Sequence, residues 1–202
     1  MRKTGSGKFI KMVYSALFSA MLICGCGSSY EQADEQLGGF TIARDGSIDA
    51  LLIDDFADSL YNESELTEYI NKELLNYNAS HGAESISLVS HARRDDKMVV
   101  KLRFKSAADY DEYMPYRLFT GTVQEAYDKG YDFASALSFA DQPEHVIGKN
   151  DLMNMADKKM LVFTGRGSIS VPSEIRYYTQ SMKQTGAKTV EASEDGTYII
   201  IY

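Results

Sequence analysis

Two cysteines near the N-terminus are the residues whose type and spacing most directly suggest chemistry. Cys24 and Cys26 close an apolar run from Met12 to Ile23, with the small residue Gly25 between them. The segment before that run carries four basic residues and no acidic one: Arg2, Lys3, Lys8 and Lys11. This order is typical of an export signal. The apolar run would cover only about 18 Å as a helix, too little for a bilayer core of about 30 Å, so we expect no permanent transmembrane helix there.

The tetrapeptide Ile23-Cys24-Gly25-Cys26 resembles the lipobox of bacterial lipoprotein signal peptides. In a lipobox an aliphatic residue stands three positions before the lipidated cysteine, and a small residue stands immediately before it. Ile23 and Gly25 hold these places for Cys26, whereas Met21 and Ile23 would fit Cys24 poorly. The resemblance implies a signal peptide over residues 1–25 and a diacylglyceryl group on Cys26. Such a group would anchor the chain stably, because two acyl chains stay in the membrane whereas a single chain binds it reversibly. The alternative is an ordinary secretory signal with two incidental cysteines.

Removal of residues 1–25 would change both the charge and the chemistry of the chain. The signal holds four of the 21 basic residues, so the mature chain would have 17 basic and 29 acidic residues, a charge of 17 − 29 = −12. Such a chain is repelled by anionic lipid and by nucleic acid, and we expect no nucleic-acid partner. With Cys24 removed and Cys26 lipidated, no free thiol remains, which excludes thiol catalysis, disulfides and cysteine-based metal sites.

Histidines and carboxylates offer little further chemistry. Asp54, Asp55 and Asp58 could supply oxygen ligands to a calcium ion, but the D-x-D-x-D-G pattern is absent and a solvated turn is the alternative. The three histidines, His81, His91 and His145, form neither a His-x₃-His pair nor an H-E-x-x-H motif. We therefore predict no catalytic, cofactor or metal site, and leave open whether the acidic turn binds a cation.

Two short motifs could hold an anion, but each has a simpler interpretation. Thr164-Gly165-Arg166-Gly167-Ser168 resembles a glycine-rich phosphate loop, yet it lacks the G-K-[ST] ending and a following helix, so it predicts a tight turn between strands. Arg93 and Arg94 could clamp an anion, but Asp95 and Asp96 follow directly. We expect a charged hairpin loop over His91–Asp96.

The pattern after Cys26 predicts a flexible tether to residue 38 and a single α+β domain over residues 39–202. A hairpin with the loop Arg44-Asp45-Gly46 would pair Ile42 with Ile48 and Phe40 with Ala50. A helix over 63–78 is predicted by a capping box at Asn62 and Glu65, a staple from Tyr61 to Leu66, and an apolar face that includes Tyr69. Strands follow at 85–90 and 98–105.

The second half of the chain is predicted to contain two or three short helices and many strands. Ser106 with Asp109 and Thr122 with Glu125 are helix-start patterns, and a third helix is expected near 151–156. Strands are expected at 159–164, 168–171, 174–179, 187–192 and 197–202, with turns at Arg166-Gly167 and Asp195-Gly196. We thus expect an antiparallel sheet packed by one long helix and the short helices.

Tyrosines are frequent in this chain, which has 14 of them and no tryptophan. They could form a glycan-stacking face, but six of them fall at helical core-facing or rim spacing, which favours core tyrosines with their hydroxyls at the surface. These six are Tyr61, Tyr69, Tyr77, Tyr110, Tyr113 and Tyr127.

The order of these elements resembles uncharacterised lipoproteins of Clostridia-type Gram-positive bacteria. The resemblance is carried by Ile53-Asp54-Asp55-Phe56, by Tyr61–Asn78, by Asp109-Tyr110, by Phe119-Thr120-Gly121-Thr122 and by Gly130-Tyr131. It implies a location at the outer face of the cell membrane and supplies no activity. We expect a non-enzymatic envelope lipoprotein whose partner is an envelope protein or a small ligand. The alternatives are a solute-binding lipoprotein of a transporter and a cell-wall hydrolase.

Overall fold

The computed structural model describes residues 37–57, 62–133 and 137–202, and places eleven strands and four helices in them. The first half of the chain forms β1 (Gly39–Ile42), β2 (Ile48–Asp55), α1 (Glu63–His81), β3 (Ile86–Arg94), β4 (Lys97–Phe104) and α2 (Ala107–Tyr113). The second half forms β5 (Leu118–Thr122), α3 (Val123–Asp128), β6 (Leu137–Phe139), β7 (Gln142–Ile147), α4 (Lys149–Met153), β8 (Lys159–Ser170), β9 (Tyr177–Thr179), β10 (Lys183–Gly186) and β11 (Thr189–Ile201). The predicted mixture of helices with a mainly antiparallel sheet is confirmed.

The N-terminal hairpin has the predicted register. Ile42 lies opposite Ile48 and Phe40 opposite Ala50, and all four side chains are buried. Asp45 stabilises the loop because its carboxylate accepts hydrogen bonds from both the backbone N–H and the hydroxyl of Ser47. This hairpin joins the rest of the sheet through β4 on one side and β8 on the other.

Helix α1 begins at the predicted capping box. Asn62 Oδ1 accepts a hydrogen bond from the Glu65 N–H at 2.9 Å, and Glu65 Oε2 accepts one from the Asn62 N–H at 3.1 Å. The helix continues to His81, beyond the predicted end, and stops at Gly82, which has a positive φ of 109°. The prediction that Tyr69 belongs to the buried face is wrong, because its side chain is 60% exposed. The proposed staple from Tyr61 lies outside the described residues.

The other predicted helix starts are confirmed, while the charged loop is not. Ser106 and Thr122 accept hydrogen bonds from the N–H groups of Asp109 and Glu125. The prediction of a hairpin loop over His91–Asp96 is wrong, because β3 continues through Arg94 in register with β4 and only Asp95 and Asp96 turn. A strand can continue through charged residues here because one face of it is exposed.

Strands β8 and β11 form a long antiparallel pair where the sequence predicted four separate strands. The turn predicted at Arg166-Gly167 lies inside β8, and the turn predicted at Asp195-Gly196 is a break in register within β11. Backbone packing explains Gly167 in β8: the Cα of Gly39 would lie 2.9 Å from a Cβ at this position, where β1 pairs in parallel with β8. Gly167 permits close strand packing rather than chain reversal.

Each of these two long strands contributes to two hydrophobic cores. Leu161, Phe163, Tyr198 and Ile200 belong to a first core with the N-terminal sheet, α1 and α2. Met160, Val162, Ile199 and Ile201 belong to a second core that includes Val123 and Ala126 of α3 and Leu152 of α4. The apolar C-terminal strand predicted to lie inside the sheet does so, between β8 and β9.

Four strands were not predicted: β5, β6, β7 and β10. Each is short, with three to six residues, and β7 and β10 are largely polar. Period-2 hydrophobic patterns need longer segments to be visible.

Candidate functional site

The main site predicted from sequence, Cys26, lies outside the described residues. The acidic turn is only partly described: Asp54 and Asp55 end β2, and Asp58 lies outside the described ranges. The Asp54 and Asp55 carboxylates accept hydrogen bonds from the N–H groups of Asp55 and Ala57. Within the described residues, no three His, Cys, Asp or Glu side chains are grouped so that they could hold a metal ion.

The three histidines lie in separate parts of the fold. His81 connects α1 to Glu112 of α2, with Nε2 at 2.9 Å from Oε1. His145, on β7, has its ring 6.3 Å from the ring of Phe139.

His91 is the centre of a hydroxyl–imidazole–carboxylate series that sequence reasoning missed. Its Nε2 lies 3.3 Å from Thr67 Oγ1, and its Nδ1 lies 3.6 Å from Glu63 Oε1. This order matches a nucleophile, a base and an orienting acid. The Thr67 hydroxyl, however, already donates to the Glu63 backbone carbonyl at 2.7 Å, and none of these residues lines a described cleft. The arrangement connects β3 to α1 and lies outside these three clefts.

The largest described cleft lies beside β5, between α2, the end of α3 and strand β8. Its volume is about 880 Å³, within the range of roughly 300–1,000 Å³ common for small-molecule sites. Leu118 and Phe163 come from the first core, while Phe119 and Val162 come from the second. The cleft therefore opens where the two cores meet. Its polar and aromatic lining comprises Ser106, Asp111, Arg117, Phe119, Thr120, Lys129, Tyr131, Phe163, Thr164 and Thr197.

A network of hydrogen bonds and one ion pair fixes the backbone at one side of the cleft. Asp111 Oδ1 accepts a hydrogen bond from the Leu118 N–H at 2.7 Å and lies 3.1 Å from Arg117 Nε. The Arg117 N–H donates to Thr164 Oγ1 at 2.8 Å, and the Thr164 N–H donates to the Arg117 carbonyl at 3.0 Å. Arg117 is thus held by its backbone while its side chain remains 72% exposed.

A cation and two aromatic rings form the other side. Lys129 Nζ lies 5.0 Å from the centre of the Phe119 ring, a cation–π distance. The Tyr131 ring lies 5.0 Å from the same ring at a 38° tilt. Burial and, to a smaller extent, the Asp111 carboxylate raise the pKa of Tyr131, so its phenol is a neutral group at physiological pH.

Two smaller clefts have different chemistry. One, of about 360 Å³, lies next to Leu37 and contains one acidic and one basic side chain, Asp54 and Arg166. The other, of about 440 Å³, lies at the register break in β11 and contains the acidic pair Glu194 and Asp195. Of the three clefts, only the largest has more cations than carboxylates in its lining.

The glycine-rich motif does not form a phosphate loop. Its prediction as a tight turn is also wrong, since all five residues lie in β8. Gly165 instead gives room to the ring of Tyr116, which would lie 2.9 Å from a Cβ at that position.

Sequence reasoning did not find the large cleft. Asp111, Arg117 and Lys129 lie in one stretch of the chain around β5, but Thr164 follows Arg117 by 47 positions and joins them because β5 pairs with β8. The sequence showed β5 only as the apolar pair Leu118-Phe119.

No protein-family model matches the chain, and no match was found among curated proteins or solved structures. No helix in residues 37–57, 62–133 and 137–202 is long and apolar enough to cross a bilayer.

Proposed function

We propose that the protein is a non-enzymatic, lipid-anchored envelope protein that binds a ligand through the cleft beside β5. The observation that carries the binding role is the convergence of Asp111, Arg117, Lys129 and Thr164 on one cleft of about 880 Å³. Pockets with a few converging polar groups on an apolar and aromatic wall are the usual form of a small-molecule site. We assign this role to residues 39–202 as one α+β domain, in which a sheet is packed by one long and three short helices.

The anchor in this proposal is a diacylglyceryl group on Cys26, placing the domain at the extracytoplasmic face of the cell membrane. It is supported by the lipobox resemblance of Ile23–Cys26 and by the likeness to Clostridia-type lipoproteins. A tether of about a dozen residues has a random-coil reach of about 20 Å, so the cleft can stand clear of the lipid surface.

A binding role is favoured over hydrolysis by the state of the cleft's carboxylate. Asp111 is the single carboxylate in the lining, and it is already engaged by Arg117 and by the Leu118 N–H. A cell-wall hydrolase needs a paired acid and base at the reacting bond. The described lining does not bring a second acid or a histidine beside Asp111.

A solute-binding lipoprotein of a transporter is the second candidate, favoured by the size of the cleft. Two lobes joined by a hinge would be expected for ligand capture by closure, whereas here a single sheet connects all eleven described strands. Uptake of a bound solute by cells that carry or lack the protein would separate this role from assembly at the envelope.

Two substitutions test the proposal. Cys26→Ala should release the protein from the membrane fraction and abolish acyl labelling; retention with normal labelling would contradict the anchor. Ala108→Trp places a bulky side chain on the cleft wall. Cells that carry this variant should show the same phenotype as cells that lack the gene.

Ala79→Trp is the matched control for the cleft, because Ala79 is also exposed on a helix but lies outside the cleft. It should behave as wild type. If Ala108→Trp, present at normal levels in the membrane, also behaves as wild type, the cleft is not the functional site.

A further inference from the structure

We propose that the cleft beside β5 binds the carboxylate or phosphate group of a small ligand, between the guanidinium of Arg117 and the ammonium of Lys129. This inference rests on the proposed function and specifies the chemistry of the same site.

The first observation is the local charge. The chain carries 29 acidic against 21 basic residues, yet the ionisable lining of this cleft contains two cations, Arg117 and Lys129, and one carboxylate, Asp111. The neighbouring cleft at β11 is acidic, with Glu194 and Asp195. A small anion near this surface would therefore be favoured in one cleft and repelled by the other.

The second observation is how Asp111 is used. Its Oδ1 lies 3.1 Å from Nε of Arg117, and a guanidinium carries further N–H donors on its two terminal nitrogens. The same oxygen accepts the Leu118 N–H, so the carboxylate orients Arg117 while it satisfies the backbone. A guanidinium held in this way can present parallel N–H donors to a planar or tetrahedral oxyanion.

The third observation concerns Lys129. Its ammonium lies 5.0 Å from the centre of the Phe119 ring, which holds it on the cleft wall. A ring face attracts an ammonium group but accepts no conventional hydrogen bond from it, whereas a carboxylate would accept one or more of its three N–H groups. Tyr131, packed on the same ring, contributes a neutral phenol to the wall.

The size of the cleft limits the ligand to a small molecule. About 880 Å³ suits a metabolite or a short polar fragment. The hydroxyls of Thr120, Thr164 and Thr197 in the lining can bond to the uncharged part of such a ligand.

The test uses the full lipidated chain in a non-ionic detergent. Inorganic phosphate and citrate are titrated separately, with ionic strength held constant by sodium chloride, and N-acetylglucosamine is the uncharged probe. A ligand that binds the folded state raises the melting temperature with its concentration. We expect phosphate, citrate or both to raise the melting temperature. The anion that raises it more identifies whether the site prefers phosphate or carboxylate.

Charge-removing variants locate the effect. Arg117→Gln and Lys129→Gln should each weaken the apparent affinity for the anion by about tenfold or more, since each removes a charge-assisted hydrogen bond. Arg176→Gln and Lys72→Gln are matched controls, because both residues are exposed and lie outside the cleft. They should leave the affinity unchanged.

The inference is overturned if neither anion stabilises the protein beyond sodium chloride, or if the effect survives both cleft substitutions. Stabilisation by N-acetylglucosamine alone, abolished by Ala108→Trp, would overturn the oxyanion chemistry and leave the cleft as a binding site. The cell experiment with Ala108→Trp is independent of the probe, so failure of the proposed function is recognised separately.

Discussion

The two cores of this protein differ in size and in the way the sequence encodes them. Among the residues that the structure describes, the first core contains 24 buried residues and the second 11, so the second should open locally at the lower free energy. In the first, strands such as β4 alternate between buried and wetter positions. In β11, consecutive residues Tyr198–Ile201 are all buried, because one face meets the first core and the other the second. A continuous apolar strand therefore indicates a sheet covered on both sides.

The cleft lies at the boundary between these cores, and this location gives the comparison a functional meaning. Leu118 and Phe119 are neighbours in β5 and belong to different cores. A ligand held beside β5 would contact elements of both, so its binding should stabilise the smaller core most.

The largest effect is expected where β1 joins β8. A Cβ at Gly39 would lie 1.9 Å from the Ser168 carbonyl oxygen, and Gly39 has a φ of +130° that side chains disfavour. Gly39→Ala should therefore cost about 4 kcal/mol or more, among the largest effects of single substitutions. The urea midpoint of unfolding measures it.

Gly46→Ala is the matched control, since Gly46 also has a positive φ, of +86°, but a Cβ there meets nothing within 4 Å. Only backbone strain of about 1–2 kcal/mol is expected. Equal effects of the two substitutions would show that the close approach of β1 and β8 is not essential.

Adjacent isoleucines in β11 test the separation of the cores. Ile199 and Ile200 are 1% and 0% exposed and point into the second and first core, respectively. Truncation of either to alanine should cost about 2–5 kcal/mol. Amide hydrogen exchange should show faster opening of α3 and α4 in Ile199→Ala, with α1 and α2 protected until the whole domain unfolds. The same pattern in both variants would mean that the cores open as one unit.

The helix caps lie at the edges of the two cores, and their contributions to stability can be compared. Asn62 caps α1 on the first core and Thr122 caps α3 on the second, each within a capping box. Replacement of either by alanine should cost about 0.5–2 kcal/mol. Loss of the Thr122 cap should also raise exchange of the α3 amides selectively. An unchanged urea midpoint in Asn62→Ala would remove this helix start as a source of stability.

The smallest effect is expected from a pH-dependent contact in the first core. The backbone carbonyl of Tyr77 and the carboxylate of Glu112 raise the pKa of His81, whose ring also stacks on Tyr77 at 3.9 Å. A raised pKa in the folded state means that protonated His81 contributes stability below its unfolded pKa, near 6.5, and that this contribution is lost as pH rises through the folded value.

Melting temperatures of wild type and His81→Gln should therefore differ more at pH 5.5 than at pH 8.5. Glu112→Gln should reduce the same difference. A difference in melting temperature between wild type and His81→Gln that does not change with pH would contradict a charged contact between α1 and α2.

Local signals in the sequence predicted the elements that depend on residues close together in the chain. The hairpin register around Asp45-Gly46 and the caps at Asn62, Ser106 and Thr122 were correct because each depends on residues a few positions apart. Strands β8 and β11 were each divided wrongly because glycine is common both in turns and at close strand contacts. For Gly167, the distant partner Gly39 distinguishes the two.

The cleft could not be predicted for a related reason. Arg117 and Thr164 are hydrogen-bonded neighbours, yet 47 positions separate them and neither belongs to a recognisable motif. Their meeting depends on β5 pairing with β8, and β5 has five residues, too few for a clear pattern. Cys26 was the one site residue with a local motif, and it stays a prediction.

The most direct test of the central claim, that the cleft between the cores is the binding site, is an NMR titration of the full chain with phosphate and with citrate. We predict that backbone amide resonances shift in three separate segments at once: Asp111–Thr120, Lys129–Tyr131 and Val162–Thr164. The Ala108→Trp variant should lose these shifts, while Ala79→Trp keeps them. No perturbation by either anion, or perturbations centred on residues outside these segments, would contradict the claim.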